Sequence, residues 1–145
     1  MPIDCISFRD TAYASKLICD YVEKHPELQS LYNRYPTLEN FKPQLDAKKA
    51  EFSTEKRAVL VSALSQQYAP LMPSELTTSR IQSLAKKNTF TVTTGHQLNL
   101  LGGPIYFLYK IITTINLAKD LKIKDPENNY IPIFWMASED HDFEE

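Results

Sequence analysis

Cysteine and glycine are scarce in this chain of 145 residues, which has two cysteines and three glycines. Cys5 and Cys19 lie apart and form no Cys-x-x-Cys pair, so neither a disulfide framework nor a zinc site is expected. We interpret both as small buried hydrophobic residues rather than nucleophiles, because neither has an activating base beside it in the sequence. A reducing cytoplasm is the compartment that this cysteine usage predicts.

Long apolar runs and an excess of one charge are also missing. No run approaches the length of a membrane span, and the N-terminal residues have no uninterrupted hydrophobic region of the kind found in signal peptides. The net charge is −2, and no basic stripe stands out, so neither a membrane nor a nucleic acid is an expected partner. Apolar and charged fractions are typical of a soluble domain, and the length suffices for one core.

The last third of the chain carries the clearest pattern, which predicts a strand, a helix and a second strand. Residues 90–94 are β-branched or aromatic and are followed by Gly95, which we expect to end the strand. Residues 131–136 form a nearly continuous apolar run that suits a strand of a parallel sheet. Between them Pro104 suits the first turn of a helix. The helix should bury a stripe of residues at helical spacing, namely Ile105, Leu108, Ile112 and Ile115, widened by Ile111 and Leu117.

This βαβ unit predicts where ligands would bind. Parallel strands end at the same edge of a sheet, and open α/β sheets bind ligands beyond the carboxyl ends of their strands. Residues 95–97 follow the first predicted strand and residues 138–142 follow the second. We therefore expect the two segments to converge on one crevice.

The first 88 residues predict a helical region, and we assign residues 1–88 and 89–145 as the two parts of the chain. The first helix is expected from about residue 10 to residue 24, with Tyr13, Leu17 and Tyr21 on one stripe. Three further helices should begin after potential N-terminal capping residues, which are Thr37, Ser53 and Ser74. The segment 31–36 is aromatic and rich in turn formers, so we expect a connection that packs on its neighbours.

The chain ends at Glu145, directly after its most polar segment. A sheet of two strands is marginal on its own, so we interpret the chain as the N-terminal piece of a longer protein.

The loop after the first strand offers one candidate site. Gly102, Gly103 and Pro104 before a helix would present backbone N–H groups and the positive end of the helix dipole to an anion, although glycines there also suit a plain turn. The loop matches neither a GxGxxG nor a Walker A motif. His96 either bonds a backbone carbonyl or, as its position at a strand end favours, stabilises charge on a phosphate or acyl oxygen. We interpret Tyr106, Tyr109 and Trp135 as packing residues.

The segment 138–142 is the second candidate site and the denser one. Ser138 is followed by Glu139, Asp140, His141 and Asp142, and such a cluster of charges needs a cationic counterpart. A substrate ammonium, a divalent metal and His141 itself are the candidates, and a solvated acidic loop is the alternative. We favour amine binding and acid–base chemistry and expect no dedicated metal site. A metal-dependent hydrolase using Asp140, His141 and Asp142 and a non-catalytic interaction module are the competing functions.

Several segments carry a resemblance to a known family. They are Thr-Thr-Gly-His-Gln at 93–97, Gly-Pro-Ile-Tyr at 103–106 with Lys110, and the run from Pro132 to Glu145. The segments 31–36 and 38–41 add to them. The chain resembles the cysteine-adding enzymes of bacillithiol biosynthesis. That resemblance implies a ligase that joins L-cysteine to glucosaminyl malate, a Rossmann-like core related to class I synthetases and pantothenate synthetase, and a coiled coil elsewhere that forms homodimers.

The resemblance also directs the expected roles of the residues. Amide formation from a carboxylate needs activation, and the fold analogy implies ATP, with Mg²⁺ as a companion. His96, Asp140 and His141 are the expected catalytic residues. Substrate- or nucleotide-binding residues are expected at Thr94, Gly95, Gln97, Gly103, Pro104, Ser138, Glu139 and Asp142. The chain lacks a His-x-x-His signature and the later parts of the family's fold, so the fragment alone is expected to be inactive.

Overall fold

The computed structural model describes residues 5–99 and 103–138. Six α-helices lie in the described part of the chain: α1 (Phe8–Thr11), α2 (Lys16–Val22), α3 (Leu38–Glu51), α4 (Thr54–Tyr68), α5 (Glu75–Ser83) and α6 (Ile105–Lys124). Short 3₁₀ helices follow α2, at Pro26–Leu31, and α4, at Ala69–Leu71. The strands β1 (Thr89–Gln97) and β2 (Asn129–Ala137) flank α6.

The residues form two compact units that divide between Lys48 and Lys49. Helices occupy the described residues up to Ser83, and the strand–helix–strand unit begins at Thr89. The assignment of 1–88 and 89–145 as the two parts of the chain stays a prediction.

In the first unit the single helix predicted over residues 10–24 is wrong, because two short helices replace it. Ala12 has a left-handed backbone (φ 56°), and its N–H donates to the Arg9 carbonyl, which ends α1. Ser15 then starts α2 by accepting a hydrogen bond from the Ile18 N–H at 3.3 Å. A serine cap inside the apolar pattern therefore breaks the helix, and Tyr13 of the predicted stripe is left exposed.

Ion pairs and aromatic rings hold this unit together. Arg9 bonds Asp20 at 2.8 Å and Glu23 at 2.6 Å. The Tyr21 ring packs on Tyr32 and Tyr35, at centroid distances of 5.4 and 5.2 Å. The segment 31–36 is thus a packed connection, as predicted.

The starts of α4 and α5 were predicted correctly from their serine caps. Ser53 accepts a hydrogen bond from Lys56 N at the start of α4, and Ser74 accepts one from Thr77 N at the start of α5. The remaining predicted start is also in place, since α3 begins directly after Thr37 and continues through Pro43. Local hydrogen bonds of this kind depend on few residues, which is why the sequence reveals them.

The two strands pair in parallel, with Thr89 opposite Asn129 and Gln97 opposite Ala137. This confirms the predicted α/β class and the βαβ unit. Gly95 does not end β1, contrary to prediction, because the strand continues for two residues beyond it and keeps its pairing with β2. His96 and Gln97 therefore lie in the strand and not in a loop.

Helix α6 is where it was predicted, but the buried face is a different one. Its fully buried residues are Thr114, Ala118 and Leu121. The centre of the predicted stripe is exposed, by 69% at Ile105, 54% at Leu108 and 52% at Ile112, whereas Ile111 and Leu117, which widen it, are half-buried. Both faces are apolar, and the small side chains of Thr114 and Ala118 make close approach to the sheet possible. Periodicity alone does not distinguish two apolar faces.

The core of the second unit sits at the start of the strands. Thr89 is 1% exposed, and Phe90 and Tyr130 are also buried. Arg57 of α4 is 4% exposed and donates from Nη1 to the carbonyls of Leu84 and Thr89, both at 2.9 Å. The carboxyl ends of the strands are more open, and this is where the candidate site lies. None of the helices in the described residues combines the length and the apolar character that crossing a membrane requires.

Candidate functional site

The carboxyl ends of β1 and β2 lie side by side. Gly95 pairs with Trp135, His96 with Met136 and Gln97 with Ala137. The predicted convergence of the two segments therefore holds as far as Ser138, the last described residue at this edge. The other predicted residues of the second segment lie outside the described residues, namely Glu139, Asp140, His141 and Asp142.

Gly95 lies opposite Trp135, where the backbone of β2 leaves no room for a side chain on β1. A Cβ atom at this position would lie 2.9 Å from the Trp135 carbonyl oxygen and 3.0 Å from its Cβ. The contact with the backbone oxygen is shorter than Cβ atoms show in proteins, so a side chain at this position would force the strands to shift. The Gly95 carbonyl accepts a hydrogen bond of 2.5 Å from Lys110 Nζ, which ties α6 to the end of β1. Close packing against β2 thus explains why position 95 is a glycine, while the binding role predicted for Gly95 stays a prediction.

His96 is engaged at both ring nitrogens. Its Nε2 lies 2.6 Å from the Tyr106 hydroxyl, and its Nδ1 lies 2.9 Å from Nδ2 of Asn99. Nδ1 is also 3.1 Å from the Gln97 carbonyl oxygen. The ring packs edge-on against Phe107 of α6, with centroids 5.9 Å apart. The imidazole is therefore held in one orientation at the end of β1.

The connection from β1 to α6 depends on a second glycine. Gly103 has a positive φ of 69°, and an added Cβ would lie 2.7 Å from the Cβ of Asn99. Any other residue would be strained in this conformation and would displace Asn99. Gly103 therefore helps to place the amide that contacts His96, which is a structural role beside the binding role predicted for it.

Pro104 is the residue immediately before α6, one position earlier than predicted. Its φ of −70° and ψ of 158° are extended, and its carbonyl accepts the N–H of Phe107 at 2.9 Å. The start of this helix of 20 residues lies beside the end of β1, because Tyr106 in its first turn reaches His96. The site therefore combines a helix start with side-chain donors.

Tyr106 is the residue that the sequence analysis missed, having interpreted it as a packing residue. It is 48% exposed, and its hydroxyl lies at the edge of the sheet next to His96. The available signal was its place in the first turn of the helix that follows the loop, because that turn must return to the strand end. Asn99, in the connection between β1 and α6, was missed as well.

Thr94 lies one residue deeper, beside a cavity of about 380 Å³. The wall is mostly apolar, and Arg80 of α5 contributes its single ionisable side chain; the other lining residues are Ile111, Thr114, Ile115, Pro132, Ile133 and Phe134. Thr94 is thus close in sequence to His96 but lines a different, apolar space. The structure does not bring Thr94 to the side chains that contact His96.

Ser138 is exposed, and its N–H donates to the Met136 carbonyl at 2.8 Å in a tight turn after β2. In residues 5–99 and 103–138 no group of three or more His, Cys, Asp and Glu side chains is placed to hold a metal ion.

The described polar side chains at this edge are neutral or cationic, and they include His96, Asn99, Tyr106 and Lys110. Hydrogen-bond donors of this kind suit an anionic oxygen, as on a phosphate or a carboxylate. The arrangement supports binding and orientation of an anion beside the place where the second segment leaves β2.

Comparison with known proteins gives a consistent result over the whole chain. Residues 1–145 match the profile of the family described as bacillithiol biosynthesis BshC, N-terminal Rossmann-like domain.

Individual relatives agree with the profile. A protein from Flavobacterium psychrophilum is 57% identical over all of this chain, which spans 28% of that protein. One from Flavobacterium johnsoniae is 55% identical over all of this chain and 27% of its own length. A more distant one from Bacillus mycoides is 36% identical over 89% of this chain and 23% of its length. All three carry the provisional name cysteine ligase BshC. This chain thus spans about a quarter of the length of the curated relatives that it matches.

Proposed function

This chain belongs to the bacillithiol biosynthesis BshC family, as its N-terminal Rossmann-like domain, and we propose that it serves an amide-forming ligase. The ligase joins L-cysteine to glucosaminyl malate, and the edge formed by the ends of β1 and β2 is its reaction site. The observation that carries the proposal is the family match over residues 1–145. Metal-dependent hydrolysis and a non-catalytic interaction module receive no support from these comparisons.

The chemistry requires an activated carboxylate, because a free carboxylate is a poor acyl donor. ATP is the proposed activating substrate, and Mg²⁺ would neutralise charge on its phosphates. The donors at the end of β1 and the start of α6 support this proposal, since none of the described side chains there is a carboxylate. Their role is to bind and orient the anion and to stabilise charge on it.

The second segment supplies the complementary chemistry in this proposal. Glu139, Asp140 and Asp142 bind the incoming amine as its ammonium form, and Asp140 with His141 takes up its proton. The support is the parallel register, in which Ala137 lies beside Gln97, so that β2 ends at the same edge as β1. In this proposal hydrogen-bond donors at the end of β1 and the start of α6 hold the anionic substrate, and carboxylates of the second segment hold the amine.

The wider properties of the ligase are proposals as well. We propose a cytoplasmic homodimer, formed through a coiled coil elsewhere in the protein, with small molecules as its substrates. Light scattering coupled to size-exclusion chromatography of a protein as long as the relatives tests the dimer, and a single-copy mass would contradict it.

A chimaera tests the proposed function. This chain replaces the matching segment of the Flavobacterium johnsoniae relative, to which it is 55% identical, and the chimaera is expressed in bacteria that lack their own cysteine-adding enzyme. We expect bacillithiol to return, as measured by thiol mass spectrometry. Asp140→Asn and His141→Ala should each lower it by at least about a hundredfold, in line with the loss of an acid–base group.

The unaltered relative is the positive control, and Glu127→Gln is the matched acidic control, because Glu127 precedes β2 at the opposite end of the sheet. A chimaera that accumulates as folded protein without restoring bacillithiol would contradict the proposal. Retention of product by both variants would remove the second segment from the chemistry.

A further inference from the structure

Three side chains at the end of β1 form a continuous hydrogen-bonded series. The Asn99 amide nitrogen lies 2.9 Å from Nδ1 of His96, and Nε2 of His96 lies 2.6 Å from the hydroxyl oxygen of Tyr106. Tyr106 belongs to α6, whereas Asn99 lies in the connection after β1. The series therefore links the strand end to the first turn of the helix.

The direction of these hydrogen bonds depends on the tautomer of His96. Asn99 Nδ2 donates to the Gln97 carbonyl at 3.1 Å, so the amide nitrogen and not the amide oxygen faces this side. The amide nitrogen can only donate to Nδ1 of His96, whereas the Gln97 carbonyl oxygen, 3.1 Å from the same Nδ1, can only accept from it, so the two contacts favour opposite tautomers of the ring. The amide contact is the shorter of the two, at 2.9 Å, which favours the tautomer in which Nδ1 accepts. A neutral imidazole that accepts at Nδ1 carries its hydrogen on Nε2. In that tautomer His96 donates to the Tyr106 oxygen.

The hydroxyl hydrogen of Tyr106 is then directed away from His96. Tyr106 is 48% exposed, and within residues 5–99 and 103–138 no second hydrogen-bond partner of its hydroxyl is found. A phenol that already accepts one hydrogen bond is a better donor through its own O–H, because successive hydrogen bonds polarise one another.

We propose that the Tyr106 hydroxyl, and not the His96 imidazole, donates to an anionic oxygen of a substrate at this edge. Tyr106 is the binding residue, and His96 and Asn99 are positioning residues that set the direction of its O–H. The ligand oxygen belongs to a phosphate or a carboxylate, which share this chemistry. The inference rests on the proposed function for the identity of the substrates, but its contacts are those of the described residues alone.

Binding measurements on the chimaera separate the roles. Isothermal titration calorimetry with inorganic pyrophosphate and, separately, with L-cysteine distinguishes a phosphate from a carboxylate. Tyr106→Phe keeps the aromatic ring and removes the hydroxyl donor. We expect it to bind one of these probes about tenfold more weakly, because a hydrogen bond to a charged group is lost. His96→Gln retains an N–H near the position of Nε2 and should lose less than His96→Asn, which does not.

The decisive variant is Tyr106→Phe combined with His96→Asn. If His96 acts through Tyr106, the double variant binds as Tyr106→Phe does, because the effects are not additive. Additive losses would show that His96 contacts the ligand itself and would overturn the proposal. A protein that binds neither probe, or a Tyr106→Phe variant that binds both as the wild type does, would also overturn it.

A further variant reverses the series without touching either ring. Asn99→Asp replaces the donor to Nδ1 with an acceptor, so Nε2 becomes an acceptor and Tyr106 donates inward to His96. Binding should fall as in Tyr106→Phe. Leu98→Asp is the matched control, since it adds the same charge one residue away at an exposed position and should weaken binding less. If the wild-type chimaera binds a probe but makes no bacillithiol, the proposed function fails while these comparisons still decide the inference.

Discussion

Arg57 shows how one buried side chain can connect three elements. It lies in α4, is 4% exposed, and bonds two carbonyls that lie 27 and 32 residues further along the chain. Burial lowers the pKa of its guanidinium, and no carboxylate is among the causes of that shift. Two backbone acceptors and the face of Phe52, whose ring centre is 5.3 Å from the guanidinium carbon, therefore surround the charge.

We predict that Arg57→Met lowers the free energy of unfolding by about 3 kcal/mol, since two hydrogen bonds to a charged group are lost and two carbonyls lose a donor. Urea unfolding of this chain, followed by circular dichroism, measures the change. Arg80→Met is the matched control, because Arg80 is exposed on α5, and it should change the value by no more than about 0.5 kcal/mol. Equal effects of both variants would contradict the role of Arg57.

Contacts of single residues also show which features can be predicted from the sequence and which cannot. The caps at Ser53 and Ser74 were predicted because each bonds a residue three positions away. The partners of Arg57 and the contact of His96 with Tyr106 depend on how distant segments meet, and no spacing rule encodes them. The mistaken end of β1 at Gly95 has the same origin, since the pairing of Gly95 with Trp135 overrides the tendency of glycine to end a strand.

At the scale of elements, the pair α1 and α2 depends on a carboxylate. Asp20 is 6% exposed by area and bonds Lys16 at 2.5 Å and Arg9 at 2.8 Å. These two cations, Lys16 first, lower the pKa of Asp20 from its ordinary value of 3.8 to about 2. The folded state thus favours the ionised carboxylate. Its contribution is fully present above the ordinary pKa and is lost as the pH falls from about 4 towards 2.

We therefore predict that α2 loses order over that acidic range, which chemical shifts of residues 16–22 along an NMR titration would show. Asp20→Asn should remove this step and weaken the helix pair at neutral pH as well. Asp10→Asn, at an exposed position of α1, should retain the step. Added salt should reduce the contribution, because Arg9 and Glu23 are about half exposed. A wild-type titration without change in this range would contradict the prediction.

Helix α6 explains why an element can be predicted while its packing is not. Its sequence is apolar on two faces, and periodicity predicts that the stripe with the larger side chains is the inner one. The sheet instead meets the face with Thr114 and Ala118, whose small volume fits between helix and strands. The α/β class and the parallel order followed from the pattern of the elements, whereas the choice of face depends on three-dimensional fit.

At the scale of the whole molecule, the outer face of α6 is a candidate contact surface in the longer relatives. It exposes a continuous set of large apolar side chains, which are Ile105, Leu108, Tyr109, Ile112 and Ile115. Exposed patches of this kind mark interaction surfaces. The chain spans only 28% and 27% of the two Flavobacterium relatives, so most of each relative lies outside the segment compared here. We expect the remaining part of such a protein to cover this face of α6.

We predict that Ile112→Asp is tolerated in this chain alone but destabilises the chimaera. In this chain alone the free energy of unfolding should change by no more than about 0.5 kcal/mol, because the Ile112 side chain is 52% exposed. In the chimaera the same carboxylate would be buried without a partner, at a cost on the order of 3 kcal/mol, which should lower the recovery of folded protein and its bacillithiol. Thr113→Asp adds the charge at the adjacent exposed residue and should be tolerated in both contexts. Equal tolerance of Ile112→Asp in both would mean that this face of α6 stays in contact with water in the longer protein.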